Sequence, residues 1–441
     1  MIKNPLKNIF IPVLIFLFHP CWAQNQDVKV LPNLDSTLNL ALKTNFNYQV
    51  YKQQARQALY NLRSSRSTLL PTISGVLNGQ DNTHLAITPI PGVLIGKPGT
   101  TYNAQFGTKY NYNTGLTLQK DLLSWQNFQQ IKLAEGNLKL IQVEAEAYKQ
   151  SLKEQVAKLY FSILIAKQSL ALDDIDKGIA DTLVELSFKR LNLGSSDAIS
   201  FNQSQINYNT VLQNIAQSRQ LYDQGIENLK ILLGTQVQTD LQLDENLGPE
   251  SVYLISEITL SPDKNLETYK QNYQIAQIQS NIQKSLFFPK LSFITYLGAN
   301  QYRNDLGFSL NSANWNKTAY LGLNLSVPIF TGLATLNKYR SAKVQTEIAA
   351  TQYQSALNQS TINDQLLLKN DRDLRASLNA SKQGYDLYAR NLELYKQKFQ
   401  EGITNLDVYL KAFQDYINAE NLYLNNLSNF LSNKASILAR K

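Results

Sequence analysis

The sequence predicts a mixed α/β membrane protein with an internal two-fold repeat. Four transmembrane β-strands per chain would be pooled with those of other copies in one barrel and continued by long coiled-coil α-helices. Three observations carry this. Two segments alternate with period two over the length of a bilayer-crossing strand. Apolar residues elsewhere recur every 3.5 residues over stretches longer than one globular core needs. Landmarks of both kinds occur twice at nearly one offset.

Composition sets the outer limits. The chain has 441 residues, 42 Lys plus Arg and 34 Asp plus Glu, a formal charge of +8. With 17% charged residues, charge-driven disorder is excluded for most of its length. The basic surplus forms no run, so nucleic acid is not an expected partner. Mean hydropathy is −0.28, which excludes a bundle of membrane helices.

Residues 1–23 read as a secretory signal peptide. Lys3 and Lys7 precede an apolar stretch from Ile9 to Phe18, and Cys21-Trp22-Ala23 supplies the small residue for cleavage. The stretch is too short for a transmembrane helix, and His19-Pro20 ahead of Cys21 does not suit lipidation. Cleavage would remove the one Cys, the one Met and one of two His, leaving a formal charge of +6. The mature chain would then have no thiol for a disulfide, nucleophile or metal.

The first repeat is expected over residues 24–234, a junction over 235–261 and the second repeat over 262–441. Leu70-Pro71 before Thr72 is matched by Phe288-Pro289 before Lys290, and Gly115-Leu116-Thr117-Leu118 by Gly322-Leu323-Asn324-Leu325. Gly115 to Gly322 is 207 positions and Gly194 to Gly402 is 208. Each repeat therefore reads helix, strand, loop, strand, long helix, tight tip, returning helix.

From Thr318 to Ile329, Ala319, Leu321, Leu323, Leu325, Val327 and Ile329 share one face against Thr318, Tyr320, Gly322, Asn324, Ser326 and Pro328. Phe106 to Gln119 does the same, with Tyr110, Tyr112, Thr114, Leu116 and Leu118 together. Thr72 to Gln80 and Leu291 to Asn300 are the shorter partners. Tyr102, Tyr110, Tyr112, Tyr296, Tyr302, Tyr320 and Trp315 near the strand ends suggest an interfacial girdle. Four strands cannot close a barrel, and an open edge in lipid leaves N–H and C=O groups unsatisfied. An oligomer follows. A soluble sheet with one wet face is the competing reading; it would make the chain a secreted coiled-coil structural or adhesive protein.

Leu152, Val156, Leu159, Ile163, Ala166 and Leu170 are spaced 4, 3, 4, 3, 4. The rule recurs in Tyr385–Phe399, in Leu406, Leu410, Phe413 and Ile417, and in Leu424, Leu427 and Leu431. A helix from Leu123 to Arg190 would run roughly 100 Å. Gly194 and Gly402 follow helix ends where a left-handed residue is needed. Ser196 or Asp197 can cap the returning helix of the first tip, and Thr404 with Asp407 has capping-box spacing in the second.

No cluster of catalytic or metal-ligating residues is found, so neither an enzyme nor a cofactor is expected. Gly92 to Thr100 glances at a phosphate loop, but with three residues between its first glycines and Pro98 after the lysine. It lies in an expected external loop, Asp81 to Tyr102, with the lone His84. Asp173, Asp174 and Asp176 lack calcium-loop spacing.

In order and double occurrence these landmarks resemble the TolC family of outer-membrane efflux channels. The residues carrying the likeness are Leu70-Pro71 and Phe288-Pro289, and the strand-to-helix passages 118–123 and 325–332. The tips 190–194 and 399–408 carry it too, as does Leu232-Leu233-Gly234. Asn45-Phe46-Asn47 stands where Asn-Pro is frequent, and Lys411 where an acid often follows Asp407. The helix before Pro289 reads as seven residues shorter than its counterpart, counted from Tyr48 and Tyr273. The resemblance implies a homotrimer with a twelve-strand barrel in the outer membrane of a Gram-negative bacterium, in contact with its lipid. It implies a helical tunnel through the periplasm, a periplasmic adaptor protein and an inner-membrane pump as partners. Leu193, Gly194, Ser195, Ser196, Gly402, Ile403 and Thr404 would meet the adaptor. Asp407, once per protomer, could form a constriction ring or simply cap its helix; Glu401 and Asp197 are weaker candidates.

Overall fold

The computed structural model describes residues 28–248 and 259–441. The expected signal peptide, 1–23, and part of the expected junction, 249–258, lie outside the described residues.

Strand β1 (Val28–Leu31) leads into helices α1 (Leu34–Thr44) and α2 (Phe46–Ser67). Strands β2 (Thr72–Asp81), β3 (Ile87–Pro91), β4 (Thr101–Gln105) and β5 (Tyr110–Leu123) follow, then the rod α3 (Trp125–Asn192) and its return α4 (Ala198–Leu233). Strand β6 (Asp240–Leu243) and helix α5 (Lys264–Ser285) come next. Then come strands β7 (Lys290–Arg303) and β8 (Asn316–Ser326), the second rod α6 (Ala334–Gln400) and its return α7 (Leu406–Leu438).

The main sheet is antiparallel in the order β2-β5-β7-β8, so β2 and β8 each leave an edge open. Its register gathers the period-two residues. Ile73 faces Leu118, which faces Thr295, which faces Leu321; Leu116 faces Leu297, which faces Ala319. One face thus carries Ile73, Leu77, Leu116, Leu118, Phe293, Leu297, Leu321, Leu323 and Leu325 across all four strands. Leu321 is 78% exposed and Leu323 67%. The other face is polar and internally bonded: Asn113 Nδ2 donates to Asn300 Oδ1 at 2.7 Å, and Asn300 Nδ2 to Thr318 Oγ1 at 3.0 Å. The Tyr296 ring lies over the paired Gly115 and Gly298, and a Cβ at Gly298 would meet the Tyr296 hydroxyl at 2.2 Å.

Several boundaries differ from expectation. Strand β5 begins at Tyr110, not Phe106, because Gly107 takes φ +116 and breaks the extended run. Strand β8 stops at Ser326, ahead of Pro328, which has no N–H to give a ladder. The expected loop 81–102 contains a ribbon, β3 paired with β4, pinned at its base by Asn82 Nδ2 donating to Thr108 O at 2.9 Å. The phosphate-loop look-alike is filled by its own backbone: Lys97 N donates to Gly92 O, and Gly92 N to Thr100 O, both at 2.7 Å. Helices α2 and α5 both have 22 residues, so the expected seven-residue shortfall is absent. Asp263 caps α5 early, and Tyr273 is not the counterpart of Tyr48.

The rods are 68 and 67 residues long, roughly 100 Å each at ~1.5 Å per residue. Among the described residues no helix is long and apolar enough to cross a membrane. Leu152, Val156, Ile163 and Ala166 are buried as the heptads require, as are Leu410, Phe413, Leu427 and Leu431. The pair β1–β6 is parallel and had no signal in the alternation. It sets Leu31, Leu241 and Leu243 into the same core as Leu229 and Phe430. Asn45 makes the bend between α1 and α2: its side chain accepts from Tyr48 N and donates to Leu232 O, both at 2.9 Å.

Candidate functional site

The two tips lie at the ends of the rods remote from the sheet and are built alike. At the first, Gly194 takes φ +67 and Ser195 N donates to Arg190 O at 2.9 Å. At the second, Gly402 takes φ +73 and Ile403 N donates to Lys398 O at 2.9 Å. These six-residue closures satisfy carbonyls that the ending helices leave open. A Cβ at either glycine would meet nothing within 4 Å, so backbone conformation and not crowding calls for glycine. Leu193 and Ile403 project into solvent, 80% and 67% exposed. Ser195 is exposed, and Ser196 and Thr404 are half-buried. Each tip thus presents one large apolar side chain beside small and polar neighbours.

The caps separate the candidates. Asp197 accepts from Ser200 N at 2.9 Å and caps α4. The Ser200 N–H, then its hydroxyl, hold the Asp197 carboxyl below the usual range. The second tip does not form the Thr404–Asp407 capping box. Asn405 caps α7, accepting from Val408 N at 3.2 Å; a side-chain oxygen three positions before its target suffices, and Asp407 is released for another use. It crosses to the other tip, where the Ser200 hydroxyl bonds Asp407 Oδ1. That same hydroxyl lies 2.8 Å from Asp197 Oδ1. One O–H proton serves two carboxylates, one from each repeat. Lys411 pairs with Asp415 on its own helix and leaves Asp407 uncompensated by it. Glu401 is exposed at the turn.

Sequence reasoning missed the residues that join the tips. Ser200 carried no signal. Asn207 Nδ2 donates to Leu410 O at 3.1 Å, Ser187 Oγ lies 2.6 Å from Ser204 Oγ, and the Arg190 guanidinium sits over the Phe399 ring. Serines at seam spacing on α3 and α4 were the available hint.

An open-edged sheet with one apolar face, prolonged by paired rods that end in tight turns, is the architecture these residues build. The chain belongs to the outer membrane efflux protein family, whose model matches residues 37–235 and 255–439. It is 22% identical over 240 residues to the alkaline protease secretion protein AprF of Pseudomonas aeruginosa, covering 53% of this chain and 49% of AprF. It is 22% identical over 273 residues to outer membrane protein TolC of Vibrio cholerae, covering 61% of each. The chain thus matches between about half and three fifths of the length of these relatives. Among solved structures, the Campylobacter jejuni CmeC outer membrane channel superposes with a TM-score of 0.77 at 18% identity, covering 100% of this chain and 93% of that one. The open state of the Neisseria gonorrhoeae MtrE outer membrane channel gives 0.74 at 17%, covering 93% and 88%.

Proposed function

We propose that the protein is the outer-membrane channel of a tripartite efflux or type I secretion system, a passive duct whose cargo is driven by an inner-membrane pump through a periplasmic adaptor. One observation carries this reading: the four-stranded sheet has two unpaired edges and a face of exposed Leu and Ile that crosses all four strands. Such a sheet is stable in hydrocarbon only when its edges are paired by other copies. The family assignment and the channels that share the fold support it. Three copies would supply twelve strands, and the rods would continue the bore. A soluble adhesive sheet would have to leave the same apolar face in water.

At the tips, Leu193, Gly194, Ser195, Ser196, Gly402, Ile403 and Thr404 form the surface offered to the adaptor. Asp407 and Asp197, brought together at Ser200, supply the negative charge that selects cations at the narrow end. Conduction needs no reaction on this chain.

The test is reconstitution. The full chain should require detergent, migrate as a heat-resistant trimer and conduct ions in planar bilayers. Cysteines placed at 194 and 402 should cross-link to an adaptor. A water-soluble monomer without conductance defeats the reading.

A further inference from the structure

About three quarters of the way along α3, towards the tips, the coiled-coil seam changes character. On α3 it runs through Leu164, Ala166 and Leu170 and resumes at Ala180 and Leu183; between them stand Asp173 and Asp176, 3% and 1% exposed. Across from them α7 presents Glu420, 4% exposed. Three carboxyl groups occupy places that apolar residues fill on either side. The apolar core divides at this point. One cluster holds Phe161, Leu164, Leu424 and Leu427; the other holds Ala180, Leu183, Phe413 and Ile417.

The surroundings do not neutralise these acids. From α3, Asp174 adds a further negative charge beside Asp173. From α4 comes Ser218, whose Oγ lies 2.8 Å from Ser169 Oγ. From α7, the Tyr416 hydroxyl donates to Glu420 Oε2 at 2.9 Å. From α6, the Tyr385 ring lies 5.7 Å from that of Tyr416 and stacks at 5.5 Å on Tyr423. The cation on this side, Lys382, sits 5.2 Å from the Tyr385 ring centroid and is paired with Asp386 at 2.5 Å. Asp173 Oδ2 and Asp176 Oδ1 have no hydrogen-bond partner. Among the described residues, no group of three or more His, Cys, Asp and Glu side chains is placed to hold a metal ion. A buried carboxylate with an orphaned oxygen and no cation is costly; a proton is the ligand that removes the cost. In keeping with this, burial and then the neighbouring Glu420 raise the Asp176 carboxyl, to about 8. Burial raises Glu420 as well.

We propose that Asp176 and Glu420 retain a proton between them and form a pH-sensitive joint in the packing of α3 against α7. With the proton bound, the two apolar clusters act as one rod. With it lost, two buried like charges press α3 from α7, and the tip-bearing half of the hairpins is free to swing. Asp176 precedes Gly194 by 18 residues and Glu420 follows Gly402 by 18. The joint therefore lies at one height, about 27 Å from both tips. That its opening widens a bore rests on the channel reading above; the joint itself does not.

The experiment uses the full chain in detergent. Amide exchange in the segments around 176 and 420, corrected for intrinsic rate, is followed from about pH 5 to pH 9. In the wild type, protection should fall about tenfold or more over that range, and in D176N and E420Q it should stay near its low-pH value. The infrared carbonyl band of a buried carboxylic acid should be present in the wild type at pH 7, fade by pH 9 and shrink in D176N. That band decides the matter even if both variants fail to fold. Its absence at pH 7, or a D176N profile that tracks the wild type, overturns the proposal. So does a melting temperature raised by millimolar calcium or zinc in the wild type but not in D176N, which makes the cluster a cation site. Conductance recorded over the same pH range separates the two claims: a pH-dependent exchange without any conductance leaves the joint and removes the channel.

Discussion

The Arg190 guanidinium lies 4.6 Å from the centroid of the Phe399 ring, so the last turn of one rod is clasped to the last turn of the other. A cation on an aromatic face at a partly exposed site contributes roughly 0.5–1 kcal/mol. Arg190→Ala should therefore lower stability by about that amount and speed amide exchange in both tips, not in the sheet. Arg190→Lys should recover part of the loss. Exchange measured over 186–196 and 396–406 checks this.

Asp407 and Ser200 come from different repeats, and only one carries charge. If the protein conducts as proposed, Asp407→Ala should weaken cation block on the order of tenfold, equivalent to ~1.4 kcal/mol. Ser200→Ala, with both carboxylates kept, should leave block largely intact and change the frequency of opening. Single-channel records of the two variants distinguish a charge effect from a tether effect; equal loss of block in both would sink the charge assignment.

The two faces of the sheet should respond oppositely to charge. Leu321→Arg places a cation on the apolar face and should cost roughly 2–4 kcal/mol if it sits at mid-bilayer depth. Asn324→Arg, on the polar face, should be tolerated. The fraction of heat-resistant trimer on a gel, compared for the two variants, is the readout.

Two backbone positions test the turns. Gly402→Ala, at φ +73, should destabilise by about 1–2 kcal/mol, since a Cβ is disfavoured in the left-handed region. Leu333, at φ +66, is the one non-glycine residue with positive φ among the described residues. Leu333→Gly should stabilise by a similar amount, or less where glycine loses more chain entropy. Denaturant midpoints of both variants check the pair.

Asp176 also predicts a pH dependence of stability. Its carboxyl lies at about 8 in the fold and near 3.8 when unperturbed. The folded chain therefore binds this proton more tightly than the unfolded one. The contribution is neutral below about pH 4, grows unfavourable as pH rises towards 8 and is constant above. Its full size is on the order of a few kcal/mol. Other carboxyls oppose it: Glu154 is lowered by its bonds to Lys158 and Ser436 against the effect of burial, and its stabilisation is lost as pH falls. The difference in melting temperature between D176N and the wild type isolates Asp176. It should be near zero at pH 4 and largest, in favour of D176N, at about pH 8.5.

The sequence alone determined what depends on local spacing. Leu321, Leu323 and Leu325 alternate because a strand sends successive side chains to opposite faces. Leu152 through Leu170 repeat every 3.5 residues because two helices share one seam. Gly194 and Gly402 mark turns because few other residues adopt their φ. The open-edged sheet, the rods and the tips are readable from such patterns. Tertiary structure decided what depends on partners far along the chain. Strand β1 finds β6 more than 200 positions away, and four residues carry too short an alternation to announce the pairing. Asp407 abandons the cap its spacing offered because Asn405 serves there and Ser200, 207 positions earlier, lies within reach. Asp173 and Asp176 carry no mark in the sequence of the burial that the packed helices impose on them. A hydrogen bond or a buried charge is defined by both of its sides, and a local pattern records one.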